Sequence, residues 1–332
     1  MVKTNRKYSV SPACTTNGIE KKYQYPQISV IVTAYNRTEF LSEAMRSLEE
    51  QTIDKKLFEV ILITNFPYNY TNKIGFKFKH IVMDGAVGVY LNSGIIEASG
   101  EVICYLDDDD VFHKDKLKIL SETFKRNIGY YHNNTLKFSE RNDIIPIDYS
   151  FSKVSEDYQE FISTTERRVN CRKNMEFNLS SIAIRKQLLI PFLDFISSIK
   201  QGTDSLNWLI FLETQQKGCI DKRILTFYRV HSSTSQKSKE KLNSLLKWYD
   251  EMVGFYESVL NNFKTESIKK LAEKRSCMFA MRRFLASGGA IALDKSTLRV
   301  MLSNSLFPSK CTSGATTLLL RYIIFRLTSR SF

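Results

Sequence analysis

Four consecutive aspartates, Asp107 to Asp110, directly follow a short apolar run at residues 102–106 (Val-Ile-Cys-Tyr-Leu). Each carboxylate raises the cost of ionising its neighbours, so the cluster is unfavourable unless a positive charge balances it. Oxygen ligands of this kind suit a hard divalent cation such as Mg²⁺, which proteins hold through one or two carboxylates while phosphate oxygens and water complete the shell. The residues alone leave a second interpretation open, in which this is a solvated acidic turn and Asp110 caps a helix that begins near Phe112.

Apolar runs upstream predict the elements that position this cluster. The β-branched run at residues 28–33 predicts a strand, and a helical pattern with Leu41, Met45 and Leu48 follows it. The pattern predicts further strands at residues 59–64, 80–83 and 102–106, and a second helix at residues 89–98. This order predicts an α/β sheet whose strands are apolar and covered on both faces.

Polar residues fall where these predicted strands end. Tyr35, Asn65, Asp84 and the aspartates Asp107 to Asp109 each follow a different strand. In open α/β sheets, ligands bind beyond the carboxyl ends of the strands. The sequence therefore predicts a binding site at this edge of the sheet.

Two segments of the chain resemble glycosyltransferase family 2. Residues 28–52 (ISVIVTAYNRTEFLSEAMRSLEEQT) are similar to that family's first strand, nucleotide-binding turn and first helix. Residues 87–117 (VGVYLNSGIIEASGEVICYLDDDDVFHKDKL) are similar to its Asn-x-Gly helix and to the strand that leads to its DXD motif. With weaker matches to about residue 235, the resemblance covers roughly two thirds of the chain. It implies a GT-A fold, which is a Rossmann-like mixed, mostly parallel sheet flanked by helices, and an inverting, hexosyltransferase-like enzyme.

The resemblance also implies roles for residues of this site. Tyr35 is expected to stack beneath the nucleobase, and Asp109 to coordinate a Mg²⁺ or Mn²⁺ ion that bridges the phosphates. Asn65 stands where the family usually has an Asp that accepts a hydrogen bond from uracil, and an amide oxygen is a weaker acceptor. A UDP-sugar is the expected donor, although Asn65 leaves the base open. The nucleotide-binding set implied is Thr33, Ala34, Tyr35, Asn65, Asp107 and Asp108.

Two downstream segments complete the expected site. Asp204 precedes an apolar helical stretch, where the resemblance implies the catalytic base; an ordinary helix N-cap is the alternative. A helix N-terminus lowers the pKa of a nearby carboxyl, so we expect Asp204 to be deprotonated. Residues 227–235 (FYRVHSSTS) resemble the family's Tyr-Arg-x-His…Ser motif. The motif implies that Arg229 binds the diphosphate and His231 binds the metal, while a hydrogen-bonded loop histidine is the alternative for His231.

Charge and cysteine usage restrict the partners and the compartment. The net charge of +13 could serve nucleic acid, anionic lipid or phosphorylated donors. No helix-turn-helix, aromatic-bearing sheet motif or concentrated basic stripe is evident, so we expect no nucleic-acid partner. The six cysteines form no C-x-x-C pair, which favours a reducing, cytoplasmic compartment. No window of 18 uncharged apolar residues predicts a spanning helix.

The chain divides into three predicted parts. Residues 1–25 form a polar, basic and flexible lead-in, residues 26–238 the GT-A domain, and residues 239–332 a helical C-terminal region, with helices expected at 265–286, 295–305 and 315–328. The last helix is apolar with interspersed arginines. It either lies on anionic headgroups at the cytoplasmic face of a membrane or packs within the protein while its arginines reach solvent.

The predicted reaction is a metal-assisted transfer of a sugar, with inversion, to a hydroxyl of a glycan or lipid-linked acceptor. We place the acceptor pocket around residues 178–181 and the C-terminal helices. The main alternative is a non-catalytic module on the same fold that binds nucleotide or glycan. Nucleotidyl transfer is disfavoured because residues 33–37 lack a glycine-rich loop, and a basic scaffold protein also remains open.

Overall fold

The structure is a computed structural model that describes residues 27–71, 75–139, 158–162, 176–230, 242–306 and 315–328. Its strands are β1 (Ile28–Ala34), β2 (Phe58–Thr64), β3 (Lys77–Val82), β4 (Val102–Asp107), β5 (Val111–Phe112), β6 (Tyr130–Ser139), β7 (Tyr158–Ile162), β8 (Ile182–Arg185) and β9 (Lys217–Val230). Its helices are α1 (Leu41–Glu49), α2 (Val87–Glu97), α3 (Lys116–Phe124), α4 (Lys186–Leu189), α5 (Leu193–Ser198), α6 (Thr203–Thr214), α7 (Leu242–Asn262), α8 (Glu266–Ala286), α9 (Lys295–Leu306) and α10 (Ala315–Thr328).

The strands of the described residues form one mixed sheet. Its order is β3-β2-β1-β4-β8-β6-β9-β5, and β7 also pairs with β9. The first four strands in this order are parallel to one another, and β6 is parallel to β9. The remaining pairings are antiparallel. With helices on both faces and more helices after β9, the predicted fold class is confirmed.

Side chains alternate between the two faces of the sheet along each strand, and this divides the core into two layers. In β1, Val30 and Val32 face a layer that α1 and α3 cover, whereas Ile31 faces a layer that α2 and α6 cover. Successive side chains of a strand point to opposite faces, so a strand covered twice must be apolar throughout. Gly94 lets α2 approach this sheet closely, because a Cβ atom there would lie 2.7 Å from Cγ2 of Ile31.

The C-terminal helices are packed against the sheet domain. Phe255 and Val259 of α7 and Leu271 of α8 belong to the same core cluster as residues of α2 and α6. Helices α9 and α10 pack on α8 through a smaller cluster that includes Met281 of α8, Met301 of α9 and Leu318 of α10. The predicted helices at 265–286, 295–305 and 315–328 are therefore confirmed. Within the described part of the chain, no helix combines the length and the apolar character that crossing a bilayer requires.

One local prediction is wrong. Asp110 caps no helix, because the next two residues form β5 and the helix begins only at Lys116. Val111 and Phe112 pair with β9 instead, so their backbone enters the sheet. Asp110 is fully buried and accepts hydrogen bonds from Nδ2 of Asn178 (3.0 Å) and from the backbone N–H of Arg229 (3.1 Å).

Candidate active site

The carboxyl ends of β1, β2 and β4 lie side by side. These strands are adjacent and parallel, and Thr33 is in register with both Ile63 and Asp107. Tyr35, Asn65 and the aspartate run therefore emerge at one edge of the sheet. The sequence analysis placed them there, and the placement is confirmed; their individual roles remain predictions.

The turn after β1 is fixed by paired asparagines. The backbone N–H of Asn36 donates to Oδ1 of Asn65 (2.9 Å), and Nδ2 of Asn65 donates to Oδ1 of Asn36 (2.6 Å). Asn36 has a φ of 53°, in the left-handed region that Asn tolerates better than most residues. The ring of Tyr35 is 57% exposed and meets Tyr90 edge to face, with ring centroids 6.3 Å apart. Asn65 thus holds the turn that carries Tyr35, and the Tyr35 ring is accessible.

Arg37 balances two of the four aspartates. Its Nε donates to Oδ2 of Asp108 (2.8 Å), and its Nη2 donates both to Oδ1 of Asp108 (2.5 Å) and to Oδ2 of Asp109 (2.7 Å). Burial raises the pKa of Asp108, and the bonds from Arg37 oppose that rise. The same contacts raise the pKa of Arg37 above its ordinary value. We call Arg37, Asp108 and Asp109 the cation corner.

The other two aspartates of the run are Asp107 and Asp110. Together with Asp204 they have an electrostatic environment that differs from that of the cation corner. Burial raises the pKa of Asp107 well above its ordinary value, and the nearby charges of Asp110, Asp109 and Asp204 raise it further. Burial and then the charge of Asp109 raise the pKa of Asp110 to about 7. Ser180 links the first two, because its hydroxyl accepts the N–H of Asp107 (3.0 Å) and bonds to the Asp110 carboxylate. We call Asp107, Asp110 and Asp204 the base corner.

Asp204 lies in the first turn of α6, as the sequence indicated, but its expected low pKa is wrong. Burial raises the pKa of Asp204 to about 6, although hydrogen bonds from Thr203 and from the backbone of Asn178 oppose the rise. Desolvation of the carboxylate therefore outweighs the helix N-terminus. The N-cap alternative is also wrong, since Gly202 is the N-cap, with a φ of 86°. A Cβ atom at Gly202 would lie 2.9 Å from the ring of Phe255 on α7.

Asn178 joins the acidic run to Asp204. It is buried, with a φ of 64°, and it donates its Nδ2 to Asp110 and its backbone N–H to Asp204. Its Oδ1 is buried with no hydrogen-bond partner in the described residues. The sequence analysis placed residue 178 only near the acceptor pocket, and its bonds to both carboxylates were not predicted.

A further network links Asp204 to the C-terminal helices. Arg275 of α8 forms a two-pronged ion pair with Glu176, at 2.5 and 2.7 Å. Ser205, next to Asp204, donates to the same carboxylate (2.7 Å). Tyr256 of α7 accepts from Nη1 of Arg275 (3.1 Å). The first turn of α6 is thus tied to α7 and α8 by partly buried polar contacts that no sequence pattern indicated.

The downstream motif is described only in part. The buried guanidinium of Arg229 lies between the rings of Phe40 and Phe138, at 4.4 and 4.5 Å from their centroids. It pairs with Glu43 and donates from Nε to the carbonyl oxygen of Asp109 (2.9 Å). These contacts fix the backbone of the acidic run. A contact between Arg229 and a diphosphate stays a prediction. His231 lies outside the described residues.

The cation corner fits a divalent ion that a nucleotide helps to bind. In the ranges that the structure describes, no group of three or more His, Cys, Asp or Glu side chains could hold a metal alone. A metal bound with a diphosphate needs only one or two carboxylates. Asp108 and Asp109 already converge on a single guanidinium nitrogen of Arg37. Their oxygens are the ligand type that Mg²⁺ and Mn²⁺ prefer.

Comparison with known proteins agrees with this geometry. Residues 29–190 match the family model described as Glycosyl transferase family 2. Residues 29–190 of the chain are therefore a region of glycosyltransferase family 2. This match explains why the turn after β1, the acidic run and the helix before it occur together in the sequence.

The relatives and solved structures that are similar to this chain match it over different shares of their length. "Uncharacterized glycosyltransferase RC0461" of Rickettsia conorii is 27% identical over 207 residues, which are 60% of this chain and 32% of that protein. The poly(ribitol-phosphate) beta-N-acetylglucosaminyltransferase TarS of Staphylococcus aureus is 30% identical over 101 residues, 28% of this chain and 18% of TarS. The chain spans about a third of the length of the first curated relatives it matches. The structure of S. aureus TarS 1–349 with UDP-GlcNAc covers 85% of this chain and 80% of its own, with 17% identity and a TM-score of 0.56, which supports the GT-A fold.

Proposed function

We propose that this protein transfers a sugar, with inversion, from a nucleotide-diphosphate donor to a hydroxyl of a glycan or lipid-linked acceptor. One observation carries the proposal. At a single sheet edge, Asp108 and Asp109 are two carboxylates suited to a cation. The charge of Asp109 and that of a separate carboxylate, Asp204, both raise the pKa of Asp107, and the pKa of Asp204 itself is about 6. A site of this kind can stabilise a leaving diphosphate and remove a proton from an acceptor.

The donor would bind along the ends of β1, β2 and β4. The exposed ring of Tyr35 offers a face for the nucleobase, and Thr33 and Ala34, at the end of β1, would line the base pocket beside it. Oδ1 of Asn65 already accepts one hydrogen bond, but an amide oxygen has a second lone pair for a base N–H. We favour a UDP-sugar, as in the solved complex of S. aureus TarS with UDP-GlcNAc. Asp107 or Asp108 would bind the ribose hydroxyls.

Charge on the leaving group would be balanced at the cation corner. Asp109, with Asp108, would hold a Mg²⁺ or Mn²⁺ ion, which when bound supplies Lewis-acid stabilisation of the diphosphate. Arg37 keeps the two carboxylates paired while the donor is absent. Arg229 and His231 remain proposed phosphate and metal contacts. Arg229 would first have to release Glu43.

Asp204 would act as the catalytic base. A pKa of about 6 leaves it mostly deprotonated at pH 7, yet makes it a stronger base than an ordinary aspartate. As the acceptor oxygen attacks the anomeric carbon, Asp204 takes the hydroxyl proton, and the diphosphate leaves from the opposite face. This single displacement inverts the anomeric centre. The acceptor would enter between Asn178 and the C-terminal helices that hold Glu176.

We also propose that this chemistry takes place in the cytoplasm. Cys104 and Cys277 are free and buried, as expected where thiols stay reduced. The division into a lead-in, a GT-A domain ending near residue 238 and a helical region remains part of this proposal.

A donor panel tests the function against a non-catalytic binding module. UDP-, GDP- and dTDP-sugars are incubated with the full chain in Mn²⁺ or in EDTA, and release of nucleoside diphosphate is measured together with binding by calorimetry. We expect one class of donor to bind and to be hydrolysed slowly, with both signals lost in EDTA. Binding without hydrolysis or transfer would identify a binding module, and the absence of any nucleotide binding would refute the proposal.

A further inference from the structure

One face of α10 is buried against the rest of the C-terminal region. Leu318 is buried, and the rings of Tyr322 and Phe325 contact Phe284 of α8 at centroid distances of 5.3 and 5.4 Å. This face behaves as an ordinary packing surface. The packing interpretation of the last helix is therefore correct for one side of it.

The opposite face of α10 exposes a stripe of aliphatic side chains. Leu320 is 55% exposed, Ile323 is 42% exposed and Ile324 is 60% exposed. Their spacing of three and one residues places them on one side of the helix, away from Leu318. We call these three residues the apolar stripe. Water-exposed aliphatic groups clustered on one helix face are typical of an interaction surface rather than of scattered surface residues.

Two arginines border the apolar stripe on either side. At about 100° per residue, Arg321 lies roughly 110° from the centre of the stripe in one direction and Arg326 roughly 110° in the other. Arg326 lies over the rings of Tyr322 and Phe284, with its guanidinium carbon 5.6 Å from each centroid. Both arginines thus lie near the boundary between the buried face and the exposed stripe.

The neighbouring helix α9 repeats this combination of charges and apolar groups. Lys295, Arg299 and Leu302 are spaced four and three residues apart, so they share one face, and all three are exposed. From residue 295 to the end of the sequence there is no Asp or Glu. The same stretch contains six basic residues, Lys295, Arg299, Lys310, Arg321, Arg326 and Arg330.

We propose that α9 and α10 dock this protein on an anionic lipid bilayer, with α10 lying in the plane of the interface. A bilayer surface matches both features, because the boundary between headgroups and acyl chains takes up the apolar stripe while anionic headgroups attract the flanking arginines. This surface is distinct from the strand ends that form the candidate active site. Docking would keep the protein beside lipid-linked molecules.

Vesicle sedimentation with the full chain tests the proposal. The protein is mixed with vesicles of phosphatidylcholine alone or with phosphatidylglycerol added, at low and high salt, and the bound fraction is measured. We expect binding to the anionic vesicles that weakens as salt rises. The double variant Ile323→Ser/Ile324→Ser should bind roughly a hundredfold more weakly, since two aliphatic groups no longer enter the interface. Arg321→Gln/Arg326→Gln should bind roughly thirtyfold more weakly.

A matched control distinguishes binding through this surface from nonspecific hydrophobic binding. Ile96→Ser/Leu242→Ser removes two aliphatic groups of similar exposure, 54% and 50%, from α2 and α7. It should bind vesicles like the wild type, and thermal melting should show that all variants are folded. Equal binding by wild type and the Ile323/Ile324 variant would overturn the proposal. The proposal would also be overturned if the wild type did not bind vesicles but formed a dimer, and if the Ile323/Ile324 variant dissociated that dimer. Because no donor is present, these outcomes are independent of glycosyl transfer.

Discussion

The cation corner and the base corner are built from the same run of four aspartates, yet their electrostatics differ. In the cation corner, Arg37 bonds to Asp108 and Asp109 and supplies the charge that the two carboxylates need. In the base corner, burial raises the pKa values of Asp107, Asp110 and Asp204. Adjacent carboxylates can therefore be prepared for different chemistry by what faces them.

This difference has a functional meaning. A carboxylate that already pairs with a cation is prepared to exchange it for another, whereas a carboxyl with a raised pKa is prepared to accept a proton. The four tests below probe the features that distinguish the two corners.

Removing the base should have the largest effect. Asp204→Asn keeps the shape of the side chain but cannot accept a proton, so we expect turnover to fall by roughly 10²–10⁴-fold. Melting temperature should change little. Asp194→Asn is the matched control, because Asp194 lies in the first turn of α5 but is exposed. Near-normal turnover in the Asp204 variant would remove this residue from its assigned role.

The pH profile identifies the same group independently. Because the active form of Asp204 is deprotonated and its pKa is about 6, wild-type kcat/KM should fall about tenfold per unit as pH drops below 6. The residual activity of Asp204→Asn should lack this limb. An acidic limb that persists in the variant would assign the titration to another group.

Removing the Arg37 side chain should mainly change the affinity of the site for a metal ion. Arg37→Gln frees Asp108 and Asp109 from their guanidinium, so Mn²⁺ should bind roughly tenfold more tightly when no nucleotide is present. Calorimetry with Mn²⁺ measures this.

Arg46→Gln is the control for charge alone. Arg46 is exposed on α1 and is 3.8 Å from Glu50, so its loss should leave Mn²⁺ affinity unchanged. If Arg37→Gln bound Mn²⁺ no better than the wild type, Arg37 would not compete with a metal for these carboxylates.

Asn178 offers the mildest test, because it links the acidic run to Asp204 without contributing a charge. Asn178→Gly and Asn178→Ala both lose the amide bond to Asp110, and each should lower kcat by roughly fivefold. Only alanine strains the left-handed backbone, so it should also unfold more easily than the glycine variant, by about 1 kcal/mol. Chemical denaturation compares the two. Unchanged kcat in both variants would show that the side-chain amide of Asn178 does not position the groups that catalysis needs.

Much of this arrangement was predictable from local patterns. β-branched and apolar runs marked β1, β2 and β4, and the residues that follow them marked the edge where Tyr35, Asn65 and Asp107 meet. These predictions succeeded because strand identity and strand direction depend on short stretches of sequence. The resemblance to a family then supplied Asp204, which no periodicity indicates.

The contacts that tune the site were not predictable because they join distant parts of the chain. Arg37 and Asp108 are 71 positions apart, and Glu176 and Arg275 are 99 apart. The helix start near Phe112 was misplaced because β5 pairs with β9, which lies far along the sequence. The pKa of Asp204 was misjudged in sign for a related reason: its place on a helix is visible in the sequence, but its burial is not.

Gly202 gives the fold an unexpected point of sensitivity. It is the residue directly before α6, and the ring of Phe255 fills the space where its side chain would be. A single added methyl group would push the two helices α6 and α7 apart just where the proposed base is anchored. The tolerance of this protein to mutation at residue 202 is thus set by an aromatic ring more than fifty positions away in the chain.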